Sequence, residues 1–231
     1  MFDITPTEWT AILLSIRVAT VATLVATPLG IALAYLLARR NFWGKSLLDA
    51  LVHLPLVLPP VVTGYLLLLT FGRRGLVGAW LADHLGIVFA FRWTGAALAC
   101  GVMSFPLLVR PIRLSIEAVD RRLEQAAETL GATPLRVFLT ITLPLALPGV
   151  LAGMVLGFAK AIGEFGATIT FVSNIPGETQ TISSAIYSLI QTPHGDTAAL
   201  RLVVVSVLIA LAALVVSEML ARRATQRLHG N

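Results

Sequence analysis

Residue types and spacings that support catalysis are scarce in this 231-residue sequence. Gly44, Lys45 and Ser46 resemble the end of a phosphate-binding loop, but the position that must hold the motif's first glycine is Arg39, and no buried strand precedes it. The histidines share no metal-ligand spacing; they are His53, His84, His194 and His229. No Gly-x-Ser-x-Gly sequence is present. We therefore expect no catalytic site, no metal centre and no cofactor.

One pair of opposite charges stands in an apolar stretch, residues 145–171, that is long enough to cross a membrane. Lys160 and Glu164 are four residues apart, the spacing at which side chains meet on a helix, and an unpaired charge at membrane depth is costly. Mutual neutralisation explains the pair, and a gate or a pathway through the membrane is the alternative. The other candidates for a pathway follow Glu164 closely: Gly166, Thr168, Thr170, Ser173 and Asn174.

The residues after this stretch predict a turn and a short apolar helix. Asn174 to Thr179 contains Pro176 and Gly177, which are typical of turns. The apolar face that follows is too short to span a membrane; its residues are Ile182, Ala185, Ile186, Leu189 and Ile190. We expect this segment to lie in the membrane interface or to dip back into the protein.

Prolines interrupt another apolar stretch, residues 51–71. Pro55, Pro59, Pro60 and Gly64 each weaken the backbone hydrogen bonding of a continuous helix. At membrane depth, such backbone is tolerated only where protein or a wet cavity satisfies its polar groups. Pro59 and Pro60 are therefore candidates for lining a pathway or forming a hinge. A helix that simply begins at Pro60 explains the pattern equally well.

Residues 124–144 form a polar island whose pattern predicts two short helices joined by a tight corner. An apolar stripe recurs at three- and four-residue steps: Ile116, Val119, Leu123, Ala126 or Ala127, and Leu130. The charged residues fall mainly off that stripe and are predicted to face water: Asp120, Arg121, Arg122, Glu124 and Glu128. Gly131 stands where a helix needs a left-handed C-terminal residue, and Thr133 with Pro134 offers an N-cap followed by a first-turn proline. The small side chains leave a surface that another protein could approach closely.

The overall composition is that of a polytopic membrane protein. Hydrophobic residues make up 57% of the chain and charged residues only 13%, far from the composition of soluble proteins. The stretches predicted to cross a membrane are residues 11–38, 51–71, 93–112, 145–171 and 198–220. We expect an all-α fold with about five transmembrane helices, forming one domain over residues 1–231 in a lipid bilayer.

Basic residues predict how the chain is oriented. One side of the predicted spans receives Arg39, Arg40, Lys45, Arg110, Arg113, Arg121, Arg122, Arg136, Arg222, Arg223 and Arg227. The other side receives Arg73, Arg74 and Arg92. Because basic residues are enriched in cytoplasmic loops, this asymmetry predicts that the N-terminus is outside and that loop 113–144 and the C-terminus are cytoplasmic. The same placement explains the net charge of +5 without nucleic acid.

The polar island resembles the cytoplasmic-loop signature of ABC importer permeases, with matching residues at Ala126, Ala127, Gly131, Ile141, Leu143 and Pro144. In that family the loop inserts into a groove on a separate ATPase subunit and transmits its closure. The resemblance implies that loop 113–144 docks an ATPase through Glu124, Gln125, Ala126, Ala127, Gly131, Leu135 and Phe138. The family's usual glutamate before the two alanines is Gln125 here, with Glu124 one position earlier. This departure bears on one charged contact and leaves the small-residue surface intact.

Two further stretches are similar to permeases of molybdate ABC transporters: HLPLVLPPVVTGYLLLLTFGRRG at 53–75 and GEFGATITFVSNIPGETQT at 163–181. Permeases for sulfate and thiosulfate share an EFGA-like segment, so import of those anions is the alternative. The resemblance implies an oxyanion substrate, molybdate with tungstate as a further candidate, and residence in the cytoplasmic (inner) membrane. It also implies a homodimer that works with two ATPase subunits and one periplasmic or extracellular molybdate-binding protein.

The mechanism implied by this resemblance is alternating access. Closure of the ATPases would draw the helices of residues 124–131 together and open the passage outward, and hydrolysis would return it inward. ATP hydrolysis is then expected on the separate subunit. Two rival classes are a membrane enzyme using Glu164 and a histidine, and a stand-alone channel or secondary transporter. The docking pattern and the lack of inverted repeats argue against the second rival.

Overall fold

The computed structural model describes residues 4–229, with side chains described for residues 4–216 and 219. Within these residues the chain is helical and contains no strand, which confirms the expected all-α fold. The elements are α1 (Pro6–Arg39), α2 (Lys45–Val57), α3 (Pro60–Phe71), α4 (Leu76–Leu85), α5 (Trp93–Ala118), α6 (Arg121–Thr129), α7 (Pro134–Val137), a π-helical segment (Phe138–Thr142), α8 (Leu143–Ile162), α9 (Gly166–Val172), α10 (Ile182–Leu189) and α11 (Asp196–His229).

The start of α1 is fixed by a capping box. Thr5 Oγ1 accepts a hydrogen bond from the Glu8 N–H, the Glu8 carboxylate accepts one from the Thr5 N–H, and Pro6 occupies the first helical turn. At 1.5 Å per residue, the 34 residues of α1 extend about 51 Å, which exceeds the hydrocarbon thickness of a bilayer. The helix is therefore long enough to cross the bilayer with tilt or to project beyond it, and its last residue, Arg39, contacts the loop predicted to dock an ATPase.

Four helical stretches are long and apolar enough to cross a membrane: Pro6–Arg39, Trp93–Ala118, Pro134–Ile162 and Asp196–Val216. The pair α2 and α3 gives a fifth if it counts as one broken span. These numbers agree with the expected five or so. The exact span limits and the single-domain assignment remain predictions.

The stretch predicted as one span over residues 51–71 is two helices that meet at an angle of 114°. The first helix, α2, already begins at Lys45, and the second begins at Pro60. Between them, Leu58 and Pro59 are extended, with ψ of 143° and 133°. Proline disfavours helical backbone in the residue before it, and two successive prolines lack the N–H groups that would continue the helix.

The span predicted over residues 145–171 is also discontinuous. Helix α8 ends at Ile162, and the chain restarts as α9 at Gly166. Glu164 accounts for the restart, since its carboxylate accepts a hydrogen bond from the Ala167 N–H at 3.0 Å and satisfies a donor of the first turn of α9. The sequence prediction of a continuous helix was wrong because it overlooked this capping role.

Two other helices extend past the predicted limits. Helix α5 continues to Ala118 where the prediction ended at residue 112, so the loop predicted over 113–144 begins inside a helix. Helix α11 starts at Asp196 and runs to His229. The side chains of Arg222, Arg223 and Arg227, which entered the orientation argument, lie outside the described residues.

Helix α5 lies at the centre of the packing, against both α1 and α8. The contact with α8 is close because glycines at four-residue steps face α5; they are Gly149, Gly153 and Gly157. A Cβ at Gly153 would lie 2.5 Å from the Leu108 carbonyl oxygen. Small residues permit this approach between membrane helices. The short helix α10 packs on the protein through Ile182 and Ala185, which form a buried cluster with Ile12 and Leu202.

Candidate functional site

The helix predicted to dock an ATPase, α6, is presented almost entirely to solvent. It contains no buried residue. Gln125 and Ala126 are exposed and Ala127 is half-buried. Leu130, just after the helix, is 89% exposed. A large aliphatic side chain so exposed beside alanines and a glycine is what an unoccupied docking surface would present.

The corner after α6 has the conformation that the sequence predicts. Gly131 has φ of +86°, the left-handed conformation, and a hydrogen bond from the Ala132 N–H to the Ala127 carbonyl at 3.1 Å closes the helix end. Thr133 then caps α7 by accepting from the Arg136 N–H, with Pro134 in the first turn. These local contacts set the turn between α6 and α7.

The two apolar residues predicted to carry motion into the membrane face different ways. Leu135 is 69% exposed and continues the open surface of α6. Phe138 is half-buried and packs edge-on against Tyr35 of α1, with ring centroids 4.9 Å apart. Of these two, Leu135 is placed to meet a partner and Phe138 to contact the membrane helices.

Glu124 does not face water as its position on the helix predicted; its side chain is only 14% exposed. Its Oε1 accepts hydrogen bonds from Arg39 Nε at 3.2 Å, Arg39 Nη2 at 3.0 Å and Thr142 Oγ1 at 2.6 Å. The prediction failed because the partner, Arg39, is far away in sequence and so leaves no local signal. Gln125, in contrast, remains exposed at the surface of α6.

The two broken stretches predicted to line a pathway are packed against each other. Helix α3 contacts α9 so closely that a Cβ at Gly64 would lie 2.6 Å from the Ala167 carbonyl oxygen and 2.9 Å from Cβ of Thr170. One turn earlier, a Cβ at Gly166 would lie 2.7 Å from Cβ of Pro60. The structure therefore brings Pro60 and Gly166 together, while Pro59 lies at the bend between α2 and α3; both prolines are exposed. We call this region the α3–α9 contact.

The opposite charges in the fourth apolar stretch form an ion pair. Lys160 Nζ lies 2.7 Å from Glu164 Oε2, and the other carboxylate oxygen caps α9. The Glu164 side chain is 1% exposed, while that of Lys160 is 30% exposed. This arrangement matches mutual neutralisation, because the buried carboxylate has both a cation and a backbone donor.

Most of the predicted hydroxyl and amide donors are engaged inside the protein. Thr168 and Thr170 donate to the carbonyls of Phe165 and Gly166 at 2.9 and 2.8 Å. Asn174 Nδ2 donates to Ser188 at 2.6 Å. Ser173 is exposed, with an unusual φ of +67°. Both threonine hydroxyls therefore donate to helix carbonyls, and Ser173 is the most exposed of these four candidate donors.

Sequence reasoning missed the residues that hold the docking loop to the rest of the chain. Arg39 counted only as a charge for orientation, and Tyr35 and Thr142 were not singled out. Their contacts join positions far apart in sequence, as between Arg39 and Glu124, which no periodicity reports. The sequence features that could be recognised were the close spacing of small residues, the basic residues at helix ends and the interruptions of the helices.

A family model described as "Binding-protein-dependent transport system inner membrane component" matches residues 26–226. The chain belongs to this family. It is therefore a membrane component of a transport system, as the resemblance predicted, and the match includes both the docking loop and the α3–α9 contact.

Curated relatives match over nearly the whole length. The "Molybdenum transport system permease protein ModB" of Escherichia coli (strain K12) is 60% identical over 224 residues, covering 97% of this chain and 98% of that protein. The protein of the same name from Haemophilus influenzae is 57% identical over 221 residues, with 96% of each chain covered. The "Sulfate transport system permease protein CysT" of Escherichia coli (strain K12) is 38% identical over 173 residues, which cover 75% of this chain and 62% of that one.

Solved structures identify the fold. A bacterial ABC transporter involved in the import of the acidic polysaccharide alginate matches 95% of this chain and 80% of its own, with a TM-score of 0.74 and 19% identity. The MetNI methionine ABC transporter in an inward-facing conformation matches 94% of this chain and 93% of its own, with a TM-score of 0.68 and 14% identity. The chain thus has the all-helical fold of type I ABC importer permeases.

Proposed function

We propose that this chain is the permease of an ATP-driven importer that carries molybdate across the cytoplasmic membrane. The observation that carries the proposal is the 60% identity to a molybdenum permease over 97% of the chain. The sulfate permease is more distant, at 38% identity with 75% of the chain covered. Tungstate, a tetrahedral dianion like molybdate, is an expected second substrate, and sulfate is the alternative to test.

The paired charges in α8 are compatible with passage of a dianion. A fixed, unpaired cation in the passage would hold such an ion tightly and slow its release. In α8, the cation Lys160 is paired with Glu164 at 2.7 Å, which supports a passage that uses neutral donors. Pro59, Pro60, Gly166 and the donors near the end of α9 are the candidates for lining or gating it.

The assembly we propose is a homodimer of this chain with two ATPase subunits and one external substrate-binding protein. Loop 113–144 and the C-terminus face the cytoplasm, and the N-terminus faces the outside, as the basic residues predict. The exposed surface of α6 supports ATPase docking, since Ala126, Gly131 and Leu135 are open while no residue of α6 is buried. ATP hydrolysis belongs to the partner, and this chain contributes the passage.

The proposed mechanism is alternating access. Closure of the ATPases moves the two copies of α6 together and opens the passage outward; hydrolysis and product release return it inward. The π-helical segment and α8 continue directly from α7, which gives the motion a covalent route into the membrane. The bend between α2 and α3 lies beside α9 and is a candidate hinge or pathway lining.

The proposal is tested by co-purifying the chain with its ATPase partner and measuring ATP hydrolysis and uptake in proteoliposomes. External binding protein is added empty or loaded with molybdate, tungstate or sulfate. We expect molybdate and tungstate to stimulate both hydrolysis and uptake, and sulfate to do so weakly. Stimulation by sulfate alone would favour the sulfate alternative.

Controls in the same assay address the rival classes. Oxyanion flux through the chain without an ATPase would indicate a channel or secondary transporter. Turnover of a substrate by the purified chain without ATP would indicate an enzyme. Either result would contradict the proposal.

A further inference from the structure

The guanidinium of Arg39 is enclosed where α1 meets the docking loop. Arg39 is the last residue of α1, and its side chain is only 8% exposed. It donates twice to Glu124 Oε1 in α6, at 3.2 and 3.0 Å, and Nη2 also donates to the Val119 carbonyl at 3.0 Å. One side chain therefore ties the end of α1 both to α6 and to the residue that follows α5.

The same carboxylate oxygen is also bound from the other side of the loop. Thr142, the last residue of the π-helical segment, is fully buried and donates to Glu124 Oε1 at 2.6 Å. Glu124 thus joins α6 to α1 and to the start of α8. We name Arg39, Glu124 and Thr142 the Arg39 clamp.

A second contact reinforces the clamp one helical turn earlier on α1. Tyr35 precedes Arg39 by four residues and therefore lies on the same face of the helix. Its ring packs edge-on against Phe138 of the π-helical segment. The last turn of α1 contacts the docking loop through both residues, one polar and one aromatic.

The clamp is a main determinant of the position of α6, because no residue of α6 is buried. Exposed ion pairs contribute little to stability. In this pair, however, the side chains are only 8% and 14% exposed, and the carboxylate accepts three hydrogen bonds. Apart from its covalent ends and these bonds, little fixes the angle of α6 relative to the membrane helices.

We propose that the Arg39 clamp couples α6 to α1, so that movement of the docking helix reaches α1 as well as α8. Arg39 is then a positioning residue for transport. This inference rests on the proposed function in one respect, that an ATPase moves α6. Without the clamp, the ATPase would still bind α6 and hydrolyse ATP, but its movement would be transmitted through the covalent route alone.

The coupling test uses the complete transporter in proteoliposomes, with binding protein carrying molybdate. We expect Arg39→Met and Thr142→Val, which each remove donors to Glu124, to assemble and hydrolyse ATP but to lower the molybdate taken up per ATP by about tenfold, the scale of a typical coupling between sites. The exchange variant Arg39→Glu/Glu124→Arg should recover part of that loss. Wild-type uptake per ATP in both single variants would overturn the inference.

Arg113→Met is the matched control. Arg113, in α5, forms ion pairs with Asp49 of α2 and with Glu117, both at 2.8 Å, and none of its hydrogen bonds or ion pairs reaches α6. Its loss removes an inter-helix ion pair that is more exposed than the Arg39 pair and does not involve α6, so uptake per ATP should stay at the wild-type value. An equal loss in Arg113→Met would mean that any such ion pair matters, and would overturn a specific role for Arg39.

A distance measurement separates this inference from the proposed function. Spin labels at Leu36→Cys in α1 and Glu128→Cys in α6, both exposed positions, are placed in a Cys100→Ser background of the full chain without partners. We expect a narrow distance distribution that broadens with Arg39→Met and not with Arg113→Met. An unchanged distribution would refute the clamp even if transport is confirmed, whereas a chain that keeps the clamp but shows no ATP-dependent uptake would refute the proposed function alone.

Discussion

The ion pair between Lys160 and Glu164 poses the sharpest question at the scale of single residues. Glu164 is buried, accepts from Lys160 at 2.7 Å and caps α9, so removing one partner leaves an unsatisfied group inside the protein. These contacts explain the pair without any role in transport. A role in a gate or pathway is therefore separable from a role in stability only by a variant that removes both charges.

We predict that Lys160→Met lowers the free energy of unfolding by about 3 kcal/mol, the lower end for breaking a buried pair, because Lys160 is partly exposed. The double variant Lys160→Met/Glu164→Gln should recover most of that loss, since no charge remains unpaired and the glutamine oxygen can still accept from Ala167. Thermal unfolding in detergent measures the stability. If neutralisation is the whole role, uptake returns with stability; a stable double variant without uptake would assign the pair to the pathway.

Gly131 allows conformation and contact to be tested separately. Its φ is +86°, yet nothing lies within 4 Å of where a Cβ would stand. We expect Gly131→Ala to lower the free energy of unfolding by about 1 kcal/mol through backbone strain alone. Gly131→Asn should cost less, because asparagine tolerates the left-handed region. Both stabilities are measured on the purified chain by thermal unfolding.

The same variants report on docking when the ATPase is present. If Gly131 provides close packing for the partner, the asparagine variant should lose co-purification with the ATPase despite its near-normal stability. A bulky residue such as Gly131→Leu should abolish assembly or uncouple transport from hydrolysis. Normal assembly and uptake in the leucine variant would contradict the docking role.

At the scale of elements, the α3–α9 contact depends on glycine. A Cβ at Gly64 would lie 2.6 Å from the Ala167 carbonyl oxygen, so Gly64→Ala must push the helices apart, at a cost of about 1–3 kcal/mol. Gly101→Ala in α5 is the matched control, because the atom nearest to its Cβ, the Ala22 carbonyl oxygen, would be 3.9 Å away. We expect thermal unfolding to show destabilisation by the first and none by the second. Equal effects would mean that helix separation at this contact is not critical.

The elements also show which features can be derived from sequence. The corner at Gly131 was predictable because the left-handed glycine, the Thr133 cap and Pro134 are all local. The prolines at 59 and 60 predicted an interruption, but not that Lys45–Val57 would be a separate helix at 114° to α3. The break before α9 was missed because a buried carboxylate in an apolar run reads as half of an ion pair, and its second role as a cap depends on a backbone that has already turned.

The docking loop itself illustrates the same limit. Its exposed small residues follow from their spacing, but the inward position of Glu124 depends on Arg39 and Thr142, which come from two other segments. Helical periodicity assigns a charged residue to water unless its partner is known. Contacts between distant segments therefore decide how the predicted docking surface is held, whereas the pattern that predicts it is local in sequence.

At the scale of the whole molecule, the orientation in the membrane decides whether α6 can meet an ATPase at all. The asymmetry of basic residues predicts a cytoplasmic loop 113–144 and an external segment around Arg74.

Single cysteines at Gln125 and Arg74, both exposed, can be introduced in a Cys100→Ser background. We expect a membrane-impermeant maleimide to label Arg74→Cys in cells with a permeabilised outer envelope and an intact cytoplasmic membrane. Gln125→Cys should react only in inside-out vesicles, and added ATPase subunit should protect it there, because the docking surface would then be covered. Labelling of Gln125→Cys from the outside would place α6 on the side of the membrane without ATP. That result would contradict ATPase docking, the coupling role of the Arg39 clamp and the import mechanism.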